Sequence, residues 1–257
     1  MNILAIGDIV GAVGVDYLKQ NLWRQRDALR VDLVIANGEN ASEIHGLSAA
    51  DAGSILDAGV DVITLGNHTF GRRDLYSVLG DSEAIIRPAN FPPLAPGGGY
   101  TYANISGWRV LIINIMGTAL MEPLACPFAT VDRILEREAG RFDCAVLDIH
   151  AEATSEKIAL ARYFDGRVSV IFGTHTHVQT ADEQILPSGS GYITDLGMTG
   201  PMGGVIGADA AAVIEKFRTK MPTRFRVADG EVKAHGALFT LDDGNPSRVL
   251  AVRRICF

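Results

Sequence analysis

The chain is poor in the residues that mark several whole classes of protein. It has three cysteines in 257 residues, Cys126, Cys144 and Cys256. They are odd in number and form no C-x-x-C pair, which excludes a disulfide framework and points to a reducing compartment. Basic side chains are outnumbered, 23 against 30 acidic, for a formal net charge of −7. Stable nucleic-acid binding by counterion release needs a basic face and is not expected. Small phosphorylated substrates stay open, because bound cations can invert the field inside a cleft. No apolar run approaches the roughly 18–20 residues of a membrane span. The segment Met1 to Asp8 has no basic region and an apolar run of only four residues, unlike a secretory signal. A cytoplasmic protein with no membrane partner is expected.

What is present reads as a globular enzyme: 47% apolar and 21% charged residues. Short β-branched runs bounded by Gly, Asn or Asp predict buried strands at Ile3–Ile6, Leu33–Ala36, Val62–Leu65, Val110–Ile115, Ala145–Ile149 and Val168–Phe172. Amphipathic stretches between them predict helices at Val15–Leu29, Ala49–Ala58, Val131–Ala139 and Glu156–Phe164, with Ser48 as N-cap of the second. This alternation predicts α/β layering on a largely parallel sheet. Toward the end, strands at Gly191–Leu196, Arg224–Val227, Val232–Leu241 and Val249–Arg253, with a helix at Ala208–Arg218, predict a second, more antiparallel sheet packed on the first. The Pro- and Gly-rich stretch 88–107 reads as a plain connection within one domain spanning 1–257.

The chemistry lies in the few residues at the carboxyl end of each predicted strand. Gly7-Asp8, Gly38-Glu39-Asn40, Gly66-Asn67-His68, Asp148-Ile149-His150 and Gly173-Thr174-His175-Thr176-His177 all place metal-binding side chains at strand ends. In open α/β sheets, ligands bind outside the carboxyl ends of the strands, so these loops should converge on one rim. The glycines would let the chain turn sharply and approach a ligand closely. Any one of these residues alone is more simply a cap, a turn residue or a core histidine. The His175/His177 pair is stronger, since i and i+2 on an extended strand share a face. Two carboxylates, one or two amides and three imidazoles suit Mn, Fe, Zn or Co rather than Ca or structural Zn. Six or seven ligands exceed the needs of one tetrahedral ion, so two ions are more economical, with a carboxylate such as Glu39 between them. Two ions about 3.5–4 Å apart can clamp a phosphoryl group and generate hydroxide near neutral pH. Asp148 reads as a supporting partner of His150. Asp195 has no assigned role, and His45 and His235 read as ordinary surface or core histidines.

In this order the motifs resemble the calcineurin-like metallophosphoesterases, and more narrowly their YmdB-like bacterial branch. The resemblance covers nearly the whole chain and includes the segments His175–Asp182 and Ile193–Pro201. It implies a four-layer α/β/β/α sandwich. It also implies one metal held by Asp8, Glu39, Asn40 and His177, a second held by Glu39, Asn67, His150 and His175, and His68 as proton donor to the leaving oxygen. The branch is associated with phosphodiesterase activity on cyclic nucleotides, 2′,3′-cyclic ones included, with Fe or Mn, and with homo-oligomers. Two departures from the wider superfamily favour the narrower branch. Asp8-Ile9-Val10 lacks the usual Asp-x-His histidine, and Glu39 stands in place of a bridging aspartate. Gly71 stands where the branch usually carries an acidic residue. The same site would also serve a phosphomonoesterase or nucleotidase, and a low-turnover nucleotide-sensing regulator is the reading from another class.

Overall fold

Strands that are apolar at every position must be covered on both faces, and this requirement sets the layering. A computed structural model describes residues 1–43 and 45–257. The first half runs β1 (Asn2–Ile6), β2 (Asp8–Ile9), α1 (Gly11–Leu29), β3 (Leu33–Asn37), α2 (Ala49–Asp57), β4 (Val62–Thr64), α3 (Leu75–Asp81), β5 (Ile85–Ile86), β6 (Tyr100–Ile105) and β7 (Trp108–Met116). The second half runs α4 (Pro127–Arg137), β8 (Cys144–His150), α5 (Thr154–Phe164), β9 (Val170–Thr174), β10 (Gln184–Ile185), β11 (Gly191–Ile193), β12 (Met198–Pro201), α6 (Ala210–Thr219), β13 (Val232–Asp242) and β14 (Asn245–Cys256).

One sheet has the order β2-β12-β13-β1-β3-β4-β5, with β14 paired to β13, and the other β10-β11-β9-β8-β7-β6. Alternate residues of each strand enter different cores. Ile3, Ala5, Leu33 and Ile35 face Val110, Ile112, Val146 and Phe172 between the sheets. Leu4, Ile6, Val34 and Ala36 pack outward on Leu18 and Leu22 of α1 and Ile55 of α2. On the far side Leu111, Ala145, Leu147 and Ile171 pack on Val131 of α4 and on Leu160 and Phe164 of α5. The result is the expected α/β/β/α order. The Ser48 cap also forms, its hydroxyl accepting the Asp51 N–H at 3.0 Å.

Three expectations are corrected. The sheets do not divide the chain into an earlier parallel and a later antiparallel part. β12, β13 and β14 return to the first sheet, β13 lying antiparallel to β1, while β11 joins the middle of the chain parallel to β9. Backbone pairing over more than 200 residues decides this, and local periodicity carries no trace of it. Arg224–Val227 forms no strand; only an isolated bridge links Ala208 and Val227. The stretch 88–107 is a loop only to Gly99, since residues 100–105 are the edge strand β6, paired antiparallel with β7.

Candidate metal centre

The parallel strands β1, β3 and β4 of one sheet and β8 and β9 of the other end at a common rim. The first sheet delivers Asp8, Glu39, Asn40, Asn67 and His68; the second delivers His150, His175 and His177. Around His150 Nε2 stand Asn67 Oδ1 at 2.9 Å, Glu39 Oε1 at 3.1 Å and His175 Nδ1 at 3.1 Å. Glu39, His150 and His175 each offer one ligand atom, all within 4.8 Å of one another, and form a candidate metal site. Beside it, His177 Nε2 lies 3.3 Å from the Asn40 amide and 3.6 Å from Asp8 Oδ1. Glu39 Oε1 is 3.4 Å from that same amide and so stands between the two groups. All seven ligand candidates read from the sequence meet here.

Each imidazole is pinned on its far side, and this sets which nitrogen faces the rim. His177 Nδ1–H donates to the Ile206 carbonyl at 2.9 Å, leaving the Nε2 lone pair toward Asp8. His175 Nε2 lies 3.1 Å from Glu152 Oε2, an acceptor, leaving Nδ1 for the rim. The Thr174 hydroxyl donates to Asp148 Oδ1 at 2.9 Å and therefore accepts from His150 Nδ1–H, also at 2.9 Å. The approach of Asn37 Nδ2 to that same nitrogen is longer, 3.3 Å. Asp8 Oδ1 is buried with no hydrogen-bond partner. Buried acceptors without donors are costly, so lone pairs and carboxylates converging this closely fit cations.

The protein groups alone show the same demand. Burial would raise Asp8, but the His177 and His150 charges outweigh it and hold the carboxyl well below its usual range. Burial would lower His177, yet Asp8 brings it up to about 9. His150 is likewise raised against burial by Glu39. Burial and the His150 charge bring His175 down to about 4. At His177 a proton thus takes the place of cation charge. Burial pushes Asp148 up to about 7, with His150 and Thr174 only partly opposing it.

Two local readings change. His175 and His177 lie beyond the end of β9 with φ of +97° and +63°, so they are not alternate residues of a strand. Both rings reach the rim because the backbone is left-handed at each, a cost of order 1–3 kcal/mol per residue that surrounding contacts must offset. Those contacts are His175 N–H to Asp8 Oδ2 at 3.0 Å, and the Thr176 N–H and hydroxyl to Asp195 Oδ2 at 3.1 and 2.8 Å. Asp195 in turn pairs with Lys157 Nζ at 2.7 Å, both side chains about 1% exposed. Lys157 was missed, although it falls on the apolar stripe of α5 with Leu160, Ala161 and Phe164, a place where a lysine signals a buried partner. The glycines before the ligands also act otherwise than expected. None of Gly7, Gly38, Gly66 and Gly173 has positive φ. At Gly66 a Cβ would stand 2.2 Å from the His150 ring, so the close approach is to a neighbouring ligand.

His68 donates its backbone N–H to Glu39 Oε2 at 2.7 Å and faces a cavity of about 570 Å³ floored by Glu39, Asn40, His175 and His177. His45, read from the sequence as an ordinary histidine, packs against it with ring centroids 4.1 Å apart and planes tilted by 32°, and lines the same cavity. Nothing in the local sequence announces this. His235, the other such histidine, lies in β13 and accepts the Gly7 N–H through its backbone carbonyl at 2.9 Å.

A two-sheet α/β sandwich carrying this rim defines a metallophosphoesterase-like protein. A 5′-nucleotidase precursor from Thermus thermophilus shares the fold alone, with a TM-score of 0.57 and 14% identity over all of this chain and 54% of that one. The chain itself belongs to the YmdB-like protein family, whose model matches residues 4–255. It is 42% identical, over 99% of its length and 96% of the relative's, to the 2′,3′-cyclic-nucleotide 2′-phosphodiesterase of Bacillus subtilis. A crystal structure of a phosphatase from Mycoplasma pneumoniae superposes with a TM-score of 0.94 at 34% identity, covering all of this chain and 93% of that one. No helix among the described residues is long and apolar enough to cross a membrane.

Proposed function

We propose that this chain hydrolyses 2′,3′-cyclic nucleotides as a metal-dependent phosphodiesterase. The carrying observation is the set of three imidazoles whose outer nitrogens are pinned by Ile206, Thr174 and Glu152, so that the remaining lone pairs face Glu39, Asp8 and two amides. The 42% identical phosphodiesterase supports the choice of substrate class. Asp8, Glu39, Asn40 and His177 would hold one cation and Glu39, Asn67, His150 and His175 a second, with Glu39 shared. When bound, the pair neutralises charge on the phosphoryl oxygens and favours deprotonation of water. The mixed nitrogen and oxygen donors suit Mn, Fe, Zn or Co, and the family resemblance favours Fe or Mn among them. A single domain and a cytoplasmic location, on the sequence reading, and homo-oligomers, on the family resemblance, complete this reading.

The protein groups do the rest. The cavity beside the rim suits a small ligand, since sites of roughly 300–1,000 Å³ bury drug-sized molecules. Water adds to phosphorus and gives up a proton to the surrounding solvent while the bond to ribose O2′ breaks. His68, fixed beside Glu39 through its backbone, carries a proton at its ring to the leaving O2′. A general acid here is worth about 10²–10⁴-fold.

Parallel assays on 2′,3′-cyclic AMP, bis-p-nitrophenyl phosphate and p-nitrophenyl phosphate, with and without chelator, test the proposal. Diester hydrolysis that chelator abolishes is expected. Chelator-resistant turnover, or preference for the monoester, would overturn it.

A further inference from the structure

The chain's net charge of −7 conceals one strongly basic strip. Lys216, Arg218, Lys220, Arg224 and Arg226 fall within residues 216–226, with no acidic residue among them. None of the five takes part in an ion pair among the described residues, whereas Arg72 nearby is engaged with Glu43 at 3.4 Å. The strip begins on α6 and continues into the coil after it, and its Lys216, Phe217, Lys220 and Phe225 line the cavity floored by Glu39, Asn40, His175 and His177.

Aromatic rings alternate with these cations. Lys216 Nζ lies 5.0 Å from the Phe225 ring centroid and Lys220 Nζ 5.5 Å from that of Phe217. Phe217 is 70% exposed, an unusual position for a large apolar ring. Alternating cations and open aromatic faces are the recognition chemistry of single-stranded nucleic acid, in which phosphates meet the charges and bases stack on the rings.

Space points the same way. A cyclic mononucleotide is accommodated by the cavity of about 570 Å³ at the rim. A second hollow of about 920 Å³ adjoins it, sharing His45, Lys216 and Phe225, and is bordered by Arg72, Arg224 and Arg226. A single nucleotide leaves this second hollow unused. A chain of nucleotides entering from it would bring its last phosphate to the rim.

Resting on the phosphodiesterase reading, we propose that the substrate is the 2′,3′-cyclic phosphate end of a single-stranded oligoribonucleotide, whose upstream nucleotides cross residues 216–226. The cyclic phosphate ties the polymer to RNA, because only ribose carries both hydroxyls. The expectation of no nucleic-acid partner rested on charge averaged over the whole chain, and a local strip escapes that average.

The test uses the full chain loaded with Mn²⁺ and two substrates, 2′,3′-cyclic AMP and hexaadenylate ending in a 2′,3′-cyclic phosphate. The oligomer should have a kcat/KM about tenfold higher at low salt, the advantage shrinking between about 50 and 200 mM salt. Arg224→Gln with Arg226→Gln should lower the ratio of the two kcat/KM values several-fold, and the paired Arg→Lys variant should keep most of it. A readout without turnover comes from the fluorescence anisotropy of labelled hexaadenylate ending in a 3′-phosphate. Its affinity should fall with salt with a log–log slope of about −2, as for three neutralised phosphates. Equal hydrolysis of both substrates at low salt, or a ratio the Gln variants leave unmoved, would overturn the proposal. Salt-sensitive binding of the oligomer with neither substrate hydrolysed would overturn the esterase reading and leave the strip as an RNA-binding surface.

Discussion

The two sheets meet at one rim with unlike chemistry. The side built on β1, β3 and β4 brings oxygen: Asp8, Glu39, Asn40 and Asn67. The side built on β8 and β9 brings nitrogen: His150, His175 and His177. Asp8 and Glu39 are buried. Their charge is answered chiefly across the gap, by His177 and His150, with His68 adding a smaller share at Glu39. The second side does contain a buried ion pair, Lys157 with Asp195, but that pair holds the His175–His177 loop rather than the rim. One side therefore supplies unmet negative charge, and the other supplies aimed lone pairs on a strained backbone.

That contrast can be broken from either side, and the largest effect is expected from the oxygen side. Glu39→Gln removes the one carboxylate common to both groups. Elemental analysis should find bound cation lost outright, beyond the roughly 10–100-fold that losing a supporting residue costs. His68→Ala should lower diesterase kcat by about 10²–10⁴-fold while cation content stays at the wild-type level. A parallel loss of metal would move His68 from proton transfer to ligation.

The nitrogen side is expected to fail through its scaffold. Lys157→Met leaves Asp195 buried and unpaired, and denaturant unfolding should show about 3–5 kcal/mol of lost stability. Adding Asp195→Asn should recover part of the loss, since both charges are then gone. Thr174→Val removes the hydroxyl that orients His150, and titration with Mn²⁺ should show about tenfold weaker binding with the fold intact.

The smallest effect concerns acid. Burial would raise Asp182, but hydrogen bonds from Thr180 and Thr194 outweigh it and hold the carboxyl below its ordinary value. Stability from a depressed carboxyl is present above its unfolded value, near 3.9, and is lost as pH falls through the folded one. Asp182→Asn should flatten thermal stability across that acid range. The change should stay below about 1 kcal/mol, because the half-buried group is screened by water.

From the sequence alone came the strand–helix alternation and the positions after each strand where ligands stand. Runs such as Leu33–Ala36 are apolar at every residue and admit only a strand covered on both faces, so Gly38-Glu39-Asn40 had to open a loop at a strand end. Tertiary structure alone decided which sheet each strand joined, and so which ligand faced which. It also set the left-handed turns at His175 and His177, the far-side partners that choose each imidazole's nitrogen, the packing of the His45 ring against His68, and the burial of Lys157 against Asp195. The physical reason is range. Periodicity along a chain records which faces are buried, whereas the partners of a buried charge or a lone pair can lie far away in sequence, 167 residues from His175 to Asp8, and only the packed sheets bring them together.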